Sequence, residues 1–256
     1  MTTRATITAV IITFNEEDNI RRCIDSLKSV SDEIIVVDSL STDKTVQLAE
    51  AMGARVVSKA WTGYSDAKNH GNSLAACDFI LSIDADESLS PELADQIQKV
   101  KSNPEFDIYR MNRLTNFCGK WIYHSGWYPD WCVRLFRKGK VSWEGLVHET
   151  LMGVDGSFVG ELKGHLFHYS YPTIKSFLNK VSQYASLAAE KDFRRGKRYT
   201  LLWHGLLKPA SKFFTKYFIQ LGFLDGREGF IIACISAFER FLRYTSFGEL
   251  RKKNES

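Results

Sequence analysis

ITAVIITFNEEDNIRRCIDSLKSVSDEIIVVD, residues 7–38, decides the fold. Its first seven residues are a continuous run of β-branched and apolar side chains, the pattern of a strand covered on both faces. From Asn15 to Val30 the apolar positions Ile20, Ile24 and Leu27 recur at helical spacing, and EIIVVD (33–38) repeats the buried-strand pattern. Strand, helix and strand in so short a span form the repeating unit of a parallel sheet.

The alternation continues outward. Ser41-Thr-Asp-Lys44 supplies capping side chains for a helix through Val46, Leu48, Ala49 and Met52, which Gly53 closes. A strand is expected at 54–58, a helix from about 65 to 76, a strand at 79–84 and, after Pro91, a helix to about 101. Residues 107–169 read as short strands, rich in Trp, Tyr, Gly and Arg, that extend the sheet; from Pro172 onward the pattern is helical. The expected architecture is α/β, a right-handed, mainly parallel sheet with helices on both faces, plus a helical C-terminal extension. Ligands of such sheets bind outside the carboxyl ends of the strands.

Composition narrows the class. A chain of 256 residues that is 44% hydrophobic and 25% charged is not disordered, and 17 Gly with 5 Pro exclude collagen-like sequence. Cys23, Cys77, Cys118, Cys132 and Cys234 show no CxxC spacing, so neither a zinc site nor a disulfide framework is expected, and a reducing cytosol fits. The N-terminus lacks a signal-peptide cleavage site, and the longest apolar stretches near the C-terminus are about half of the roughly 20 residues a spanning helix needs. Residues 1–100 hold 9 Lys/Arg against 16 Asp/Glu, whereas the remainder is strongly basic within an overall net charge of +4. The two halves are expected to meet different partners.

Polar groups collect where the strands end: Thr13, Asn15 and Glu16 after the first, Asp38 after the second, Asp84 and Asp86 after the fourth. Each alone is also what a helix cap or turn uses; together they mark one crevice. Residues two apart in an extended segment face the same way, about 7 Å apart, so Asp84 and Asp86 are expected to share a site. Such a carboxylate pair calls for a cation, and hard oxygen ligands with open positions suit Mg²⁺ or Mn²⁺ carrying a diphosphate.

VIITFNEEDNI, EIIVVDSLSTDKT, the GYxxxKN segment (Gly63, Tyr64, Lys68, Asn69) and ILSIDADE, in this order and spacing, resemble inverting glycosyltransferases of family 2 with the GT-A fold. Further on, VRLFRKGKVSWEGLVHE (133–149) and HLFHYSYP (165–172) resemble the bacterial branch that adds β-linked glucose to the lipopolysaccharide inner core. The resemblance implies a GT-A, Rossmann-like catalytic domain over residues 1–171. Residues 1–100 would bind the nucleotide sugar and 101–171 the acceptor. Thr13, Asn15 and Glu16 would line the nucleotide pocket, Asp38 would bond the base, and Lys68 would reach ribose or diphosphate. Asp84 would contact ribose or the metal shell, Asp86 would bind the metal, and His168, with His165 as rival, would complete the metal or diphosphate site. Glu149 matches the acidic base that takes the acceptor proton, and Glu144 is the second candidate.

Trp127 lies among aromatics suited to a sugar face. Arg134 and Arg137 alternate with apolar neighbours, which suggests a strand side facing a phosphorylated acceptor, or equally a solvated edge strand. Residues 172–256 form the helical extension. Between Asp192 and Asp225 it has no acidic residue, and Lys208, Lys212 and Lys216 recur every four positions among Phe214, Phe218 and Leu221. That pattern is expected to lie on an anionic bilayer, lysines at the headgroups and aromatics buried. No nucleic-acid-binding signature accompanies it. The expected activity is therefore metal-dependent transfer of a sugar, glucose from UDP-glucose by resemblance, to a lipid-linked saccharide in lipopolysaccharide biosynthesis. Its place would be the cytoplasmic face of the inner membrane. The alternatives are a nucleotidyltransferase acting on sugar phosphates and a non-catalytic membrane adaptor. The first ordinarily needs a Gly-rich basic loop where Phe14-Asn15-Glu16-Glu17 stands, and the retained Asp84, Asp86 and Glu149 argue against the second.

Overall fold

β1 (Ile7–Thr13) is buried at every position because it lies between two parallel neighbours and under helices on both faces. A computed structural model describes residues 4–145, 150–154 and 158–255 of the chain. They fall into two compact units, Met1–Arg113 with Asp130–His168, and Leu114–Pro129 with Tyr169–Ser256.

In the first unit, α1 (Ile20–Leu27) follows β1 and leads to β2 (Glu33–Asp38). Then come α2 (Thr45–Ala51), β3 (Arg55–Ser58), α3 (Tyr64–Leu74), β4 (Phe79–Asp84), β5 (Glu87–Leu89) and α4 (Pro91–Ser102). β6 (Ile108–Phe117), β7 (Lys120–Trp121), β8 (Asp130–Arg137), β9 (Ser142–Glu144), β10 (Thr150–Met152) and β11 (Val159–Tyr171) follow in chain order, with all of β7, β6 from Leu114 and β11 from Tyr169 counted in the second unit. The sheet order is β3-β2-β1-β4-β8-β6-β11-β5. β3, β2, β1 and β4 are parallel, as the alternation predicts; β8 then joins β4 antiparallel, and β6 joins β8 likewise, so the sheet as a whole is mixed.

The alternation of β1 sorts the helices. Ile7, Ala9 and Ile11 pack with Ile20, Ile24 and Leu27 of α1, Ala49 of α2 and Leu93, Ile97 and Val100 of α4. Ile12 packs with Ala67 of α3 on the opposite face, beside Ile35 and Val37 of β2. α3 comes close to the sheet because its residue 71 is glycine: a Cβ there would stand 2.3 Å from Val10 Cγ1. α4 begins on Ser90, whose hydroxyl accepts from Leu93 N–H, with Pro91 in the first turn. The capping expected of Ser41-Thr-Asp-Lys44 differs: Lys44 is the cap without a side-chain bond, and Asp43 instead accepts from Thr45 and from Glu17 N–H.

The second unit is helical, with Leu114–Pro129 folded into it. α5 (Ile174–Arg194) starts on a reciprocal cap between Thr173 and Ser176. α6 (Lys208–Phe214) is flanked by π-helical turns at Leu201–Leu207 and Thr215–Ile219, and α7 (Gly226–Glu255) closes the chain against α5. Phe117, Ile122, Phe177, Ile232 and Ile235 form the core. Asp225 pins the loop, accepting from the N–H groups of Tyr123 and His124 and from the Ser125 hydroxyl. No helix among the described residues is long and apolar enough to cross a membrane.

The expected stripe of surface lysines is not what this unit presents. Lys216 is buried and donates to the Ser125 carbonyl at 2.5 Å, and Lys212 is half-buried near Arg240. The π-turns shift the register that a uniform 3.6-residue period assumes. Lys212 and Lys216 therefore turn inward, while Lys208, Leu201, Leu202, Trp203, Leu206, Phe214, Phe218 and Ile219 are exposed.

Candidate active site

The carboxyl ends of β1, β2 and β4 lie side by side, Thr13 opposite Asp38 and Ile12 opposite Asp84. Beyond them the loop after β1 is laced to the loop after β2. Asn15 takes the left-handed backbone (φ 53°), and its N–H donates to Ser41 Oγ at 2.8 Å while its Oδ1 accepts from Thr42 N–H at 2.8 Å. Glu16 N–H donates to Thr45 Oγ1, and Glu16 Oε2 accepts from Asn19. Thr13 is buried, and its hydroxyl has no hydrogen-bond partner among the described residues. Asp38 is buried too, accepting from Ser41 N–H at 3.0 Å and Ser41 Oγ–H at 2.5 Å.

Asp84 ends β4, and Ala85 and Asp86 form a turn rather than further strand. That corrects the expectation that Asp84 and Asp86 lie two apart on one extended face. Each has its own partners. Asp84 Oδ2 accepts from Arg134 Nη2 at 2.8 Å, and Lys68 Nζ stands 3.2 Å from its Oδ1. Burial raises the pKa of Asp84, but the Arg134 guanidinium, then Lys68 and His168, more than offset it and hold the carboxyl well below the usual range. Asp86 Oδ2 lies 3.2 Å from His168 Nε2. β11 places His168 there: it pairs antiparallel with β5, His168 opposite Glu87 and buried Leu166 opposite Leu89. Strand alternation puts His165 on the face opposite His168.

Arg134 is 4% exposed and reaches inward, its Nη2 also 2.7 Å from Glu87 Oε1. The charged ligand that its alternation in sequence announces is thus a pair of the protein's own carboxylates, which corrects its reading as an acceptor contact. Arg137 is corrected as well. It pairs with Phe79, at the opposite end of β4 from Asp84, and bonds Asp107 at 2.5 Å. Trp127 belongs to the helical unit, stacked edge-on to Phe117 and Phe177. Asp38 ends β2, one strand removed from Asp84, because β1 stands between β2 and β4, and Ser41 bonds both its oxygens. Glu144 is exposed on β9, paired with Thr150. Glu149 lies outside the described residues.

Three residues join the site that the sequence reading does not single out. Glu87, in β5, is 1% exposed and accepts from Asp84 N–H at 3.0 Å. Arg113 lies 3.6 Å from Glu87 and binds Asp130 at 2.7 Å. Trp143 covers Lys68, whose Nζ is 4.6 Å from the ring centre, and Asn69 braces it through two bonds to the Trp143 backbone at 2.8 and 2.9 Å. An Arg or Glu repeatedly interrupting a buried strand pattern is the signal that marks Glu87 and Arg113; Trp143 carries none.

The side chains here carry a surplus of negative charge that a divalent ion would meet. Asp84, Asp86, Glu87 and Asp130 outnumber Lys68, Arg113 and Arg134 by one negative charge. Among the described residues no group of three or more His, Cys, Asp or Glu is placed to hold a metal. Asp86 Oδ2 and His168 Nε2, 3.2 Å apart, are however a carboxylate oxygen and an imidazole nitrogen close enough together to bind one ion. His168 Nδ1, buried without a hydrogen-bond partner among the described residues, is the nitrogen that would keep the proton. Two protein ligands, with the other positions left to water and phosphate, are how such an ion is held at a nucleotide site. The residues fit.

Three comparisons bear on this chain. The family model described as glycosyl transferase family 2 matches residues 8–153. An uncharacterized glycosyltransferase of Rickettsia typhi is 34% identical over 98% of this chain and 89% of its own length. The lipopolysaccharide core biosynthesis glycosyltransferase LpsC of Rhizobium meliloti is 28% identical over 92% of this chain and 89% of its own. Among solved structures, glucosyl-3-phosphoglycerate synthase of Mycobacterium tuberculosis, in complex with Mn²⁺, UDP and glucosyl-3-phosphoglycerate, is 30% identical with a TM-score of 0.37. That alignment spans 44% of this chain and 44% of the synthase chain.

Proposed function

This chain belongs to glycosyl transferase family 2 and is a glycosyltransferase; from that premise we propose that it is a metal-dependent, inverting hexosyltransferase using UDP-glucose. Its acceptor is a lipid-linked saccharide of the lipopolysaccharide-core kind. The observation that carries the metal-dependent reading is the Asp86–His168 pair at the carboxyl end of β4, beside the pinned Asp84 and the buried Lys68. The acceptor class draws its support from the similarity to LpsC.

Asp86 and His168 would hold Mg²⁺ or Mn²⁺, which would supply positive charge to offset that building on the departing diphosphate. Lys68, fixed between Asp84 and the Trp143 ring, adds a second positive charge that is already oriented. Asp84 is a positioning residue: its bonds to Arg134 and Lys68 set the end of β4 from which the Asp86 turn departs. The nucleotide lies over Thr13, Asn15, Glu16 and the Asp38–Ser41 loop. Glu149, by the family resemblance, takes the acceptor hydroxyl's proton as that oxygen attacks the anomeric carbon from the face opposite the diphosphate. One displacement inverts the centre, and no covalent enzyme intermediate is required.

Exposed Leu201, Leu202, Trp203, Phe214 and Phe218 support attachment to the cytoplasmic face of a membrane, where such an acceptor resides. The test is release of UDP from UDP-glucose by purified protein with Mn²⁺. The expected result is slow hydrolysis that Asp86→Ala abolishes at unchanged melting temperature. Pyrophosphate release from a nucleoside triphosphate instead would assign a nucleotidyltransferase.

A further inference from the structure

The helical unit holds a cavity of about 240 Å³ that sugar transfer does not use. Asp192, 3% exposed, is its acidic residue, and its charge is already committed. Asp192 Oδ1 lies 2.8 Å from Lys197 Nζ, and Oδ2 accepts from both the Tyr199 hydroxyl and Arg243. Lys208 and Arg240 line the same cavity, and no carboxylate is within ion-pair distance of either among the described residues.

His204 adds a third donor to that lining. Its Nδ1 accepts from Thr200 N–H at 3.1 Å, so the neutral ring carries its proton on Nε2. Stacking on Tyr199 at 4.2 Å fixes the ring plane. Four cationic side chains around one neutralised carboxylate make an anion site. The turn that runs from this cavity to Lys208 also exposes Leu201, Leu202, Trp203, Leu206 and Leu207. An anion site continuous with exposed apolar chain matches a molecule with phosphate at one end and acyl chains at the other.

We propose that this cavity binds the phosphate of an anionic phospholipid headgroup, one whose charge no headgroup cation balances, with Lys208, Arg240 and His204 as donors and the Leu201–Leu207 turn among the acyl chains. The proposal deepens the membrane-surface part of the proposed function and rests on it.

Flotation of the full-length chain with phosphatidylcholine vesicles, with or without phosphatidylglycerol, tests it. Wild type should float only with phosphatidylglycerol. Lys208→Gln with Arg240→Gln should cut the bound fraction about tenfold. Lys175→Gln with Lys252→Gln, which removes equal charge from exposed positions outside the cavity, should cut it less than about threefold. UDP release from UDP-glucose should stay at the wild-type level in both pairs, so the catalytic reading is scored separately. Equal losses in the two pairs, or flotation with phosphatidylcholine alone, would overturn the headgroup site. Failure of wild type to float on either vesicle overturns the membrane reading with it. Stabilisation by glycerol 3-phosphate without flotation assigns the cavity to a soluble phosphate and overturns the lipid assignment.

Discussion

Arg134, itself buried, and partly exposed Asp84 form an ion pair, Nη2 to Oδ2 at 2.8 Å, on adjacent strands of the sheet. The same nitrogen holds Glu87 at 2.7 Å, so one guanidinium binds two carboxylates at the floor of the site, with Lys68 and Arg113 sharing their charge. Removing one partner of such a cluster leaves uncompensated charge in a low dielectric. Arg134→Met should therefore lower unfolding free energy by about 3–5 kcal/mol, read from urea denaturation. A loss below about 1 kcal/mol would mean that the carboxylates do not depend on it.

Gly71 sits where α3 meets β1 and β2, and an added Cβ would also come within 3.0 Å of Val37 Cγ2. Gly71→Ala gains helix propensity but overpacks the sheet, and overpacking dominates. A net destabilisation of about 1–3 kcal/mol is expected. A variant as stable as wild type would show that α3 can lift away without cost.

Lys216 gives the helical unit a pH signature. Burial, then Lys212 and Arg240, push its pKa down to about 8. Between that value and the ordinary one, near 10.4, the unfolded chain binds more protons than the folded one, so stability rises with pH across this window. Urea midpoints should climb from about pH 8 to about pH 10. Lys216→Gln, which keeps a donor for the Ser125 carbonyl, should flatten the climb. A climb of equal size in that variant would assign it to other groups.

The parallel half of the fold was legible because β1, β2 and β4 are buried on both faces and announce themselves as unbroken apolar runs. The antiparallel half was legible as strands but not as an order, since pairing across β8, β6 and β11 is a tertiary choice. The alternation around Arg134 reveals that a strand residue faces a charge, not whose charge it is, and the charge is that of Asp84 and Glu87. The turn at Ala85 that separates Asp84 from Asp86 is invisible in the sequence because no Gly or Pro marks it. The lysines at 208, 212 and 216 share one stripe in the sequence but not in the fold, because periodicity does not register π-turns.

The proton acceptor separates by substitution. Glu149→Gln should reduce kcat by about 10²- to 10⁴-fold with little change in donor affinity, whereas Glu144→Gln should stay near wild type. Rates of transfer to a lipid-linked saccharide would decide it, and the reverse pattern would move the role to Glu144.

The central claim is that Asp86 and His168 hold a divalent ion for the donor diphosphate, and calorimetric titration of UDP in the presence and absence of Mn²⁺ addresses it directly. The account predicts Mn²⁺-dependent UDP binding by wild type, weakened at least about tenfold, or about 1.4 kcal/mol, in both Asp86→Ala and His168→Ala. UDP binding of equal strength without Mn²⁺, or unchanged in both variants, would contradict it.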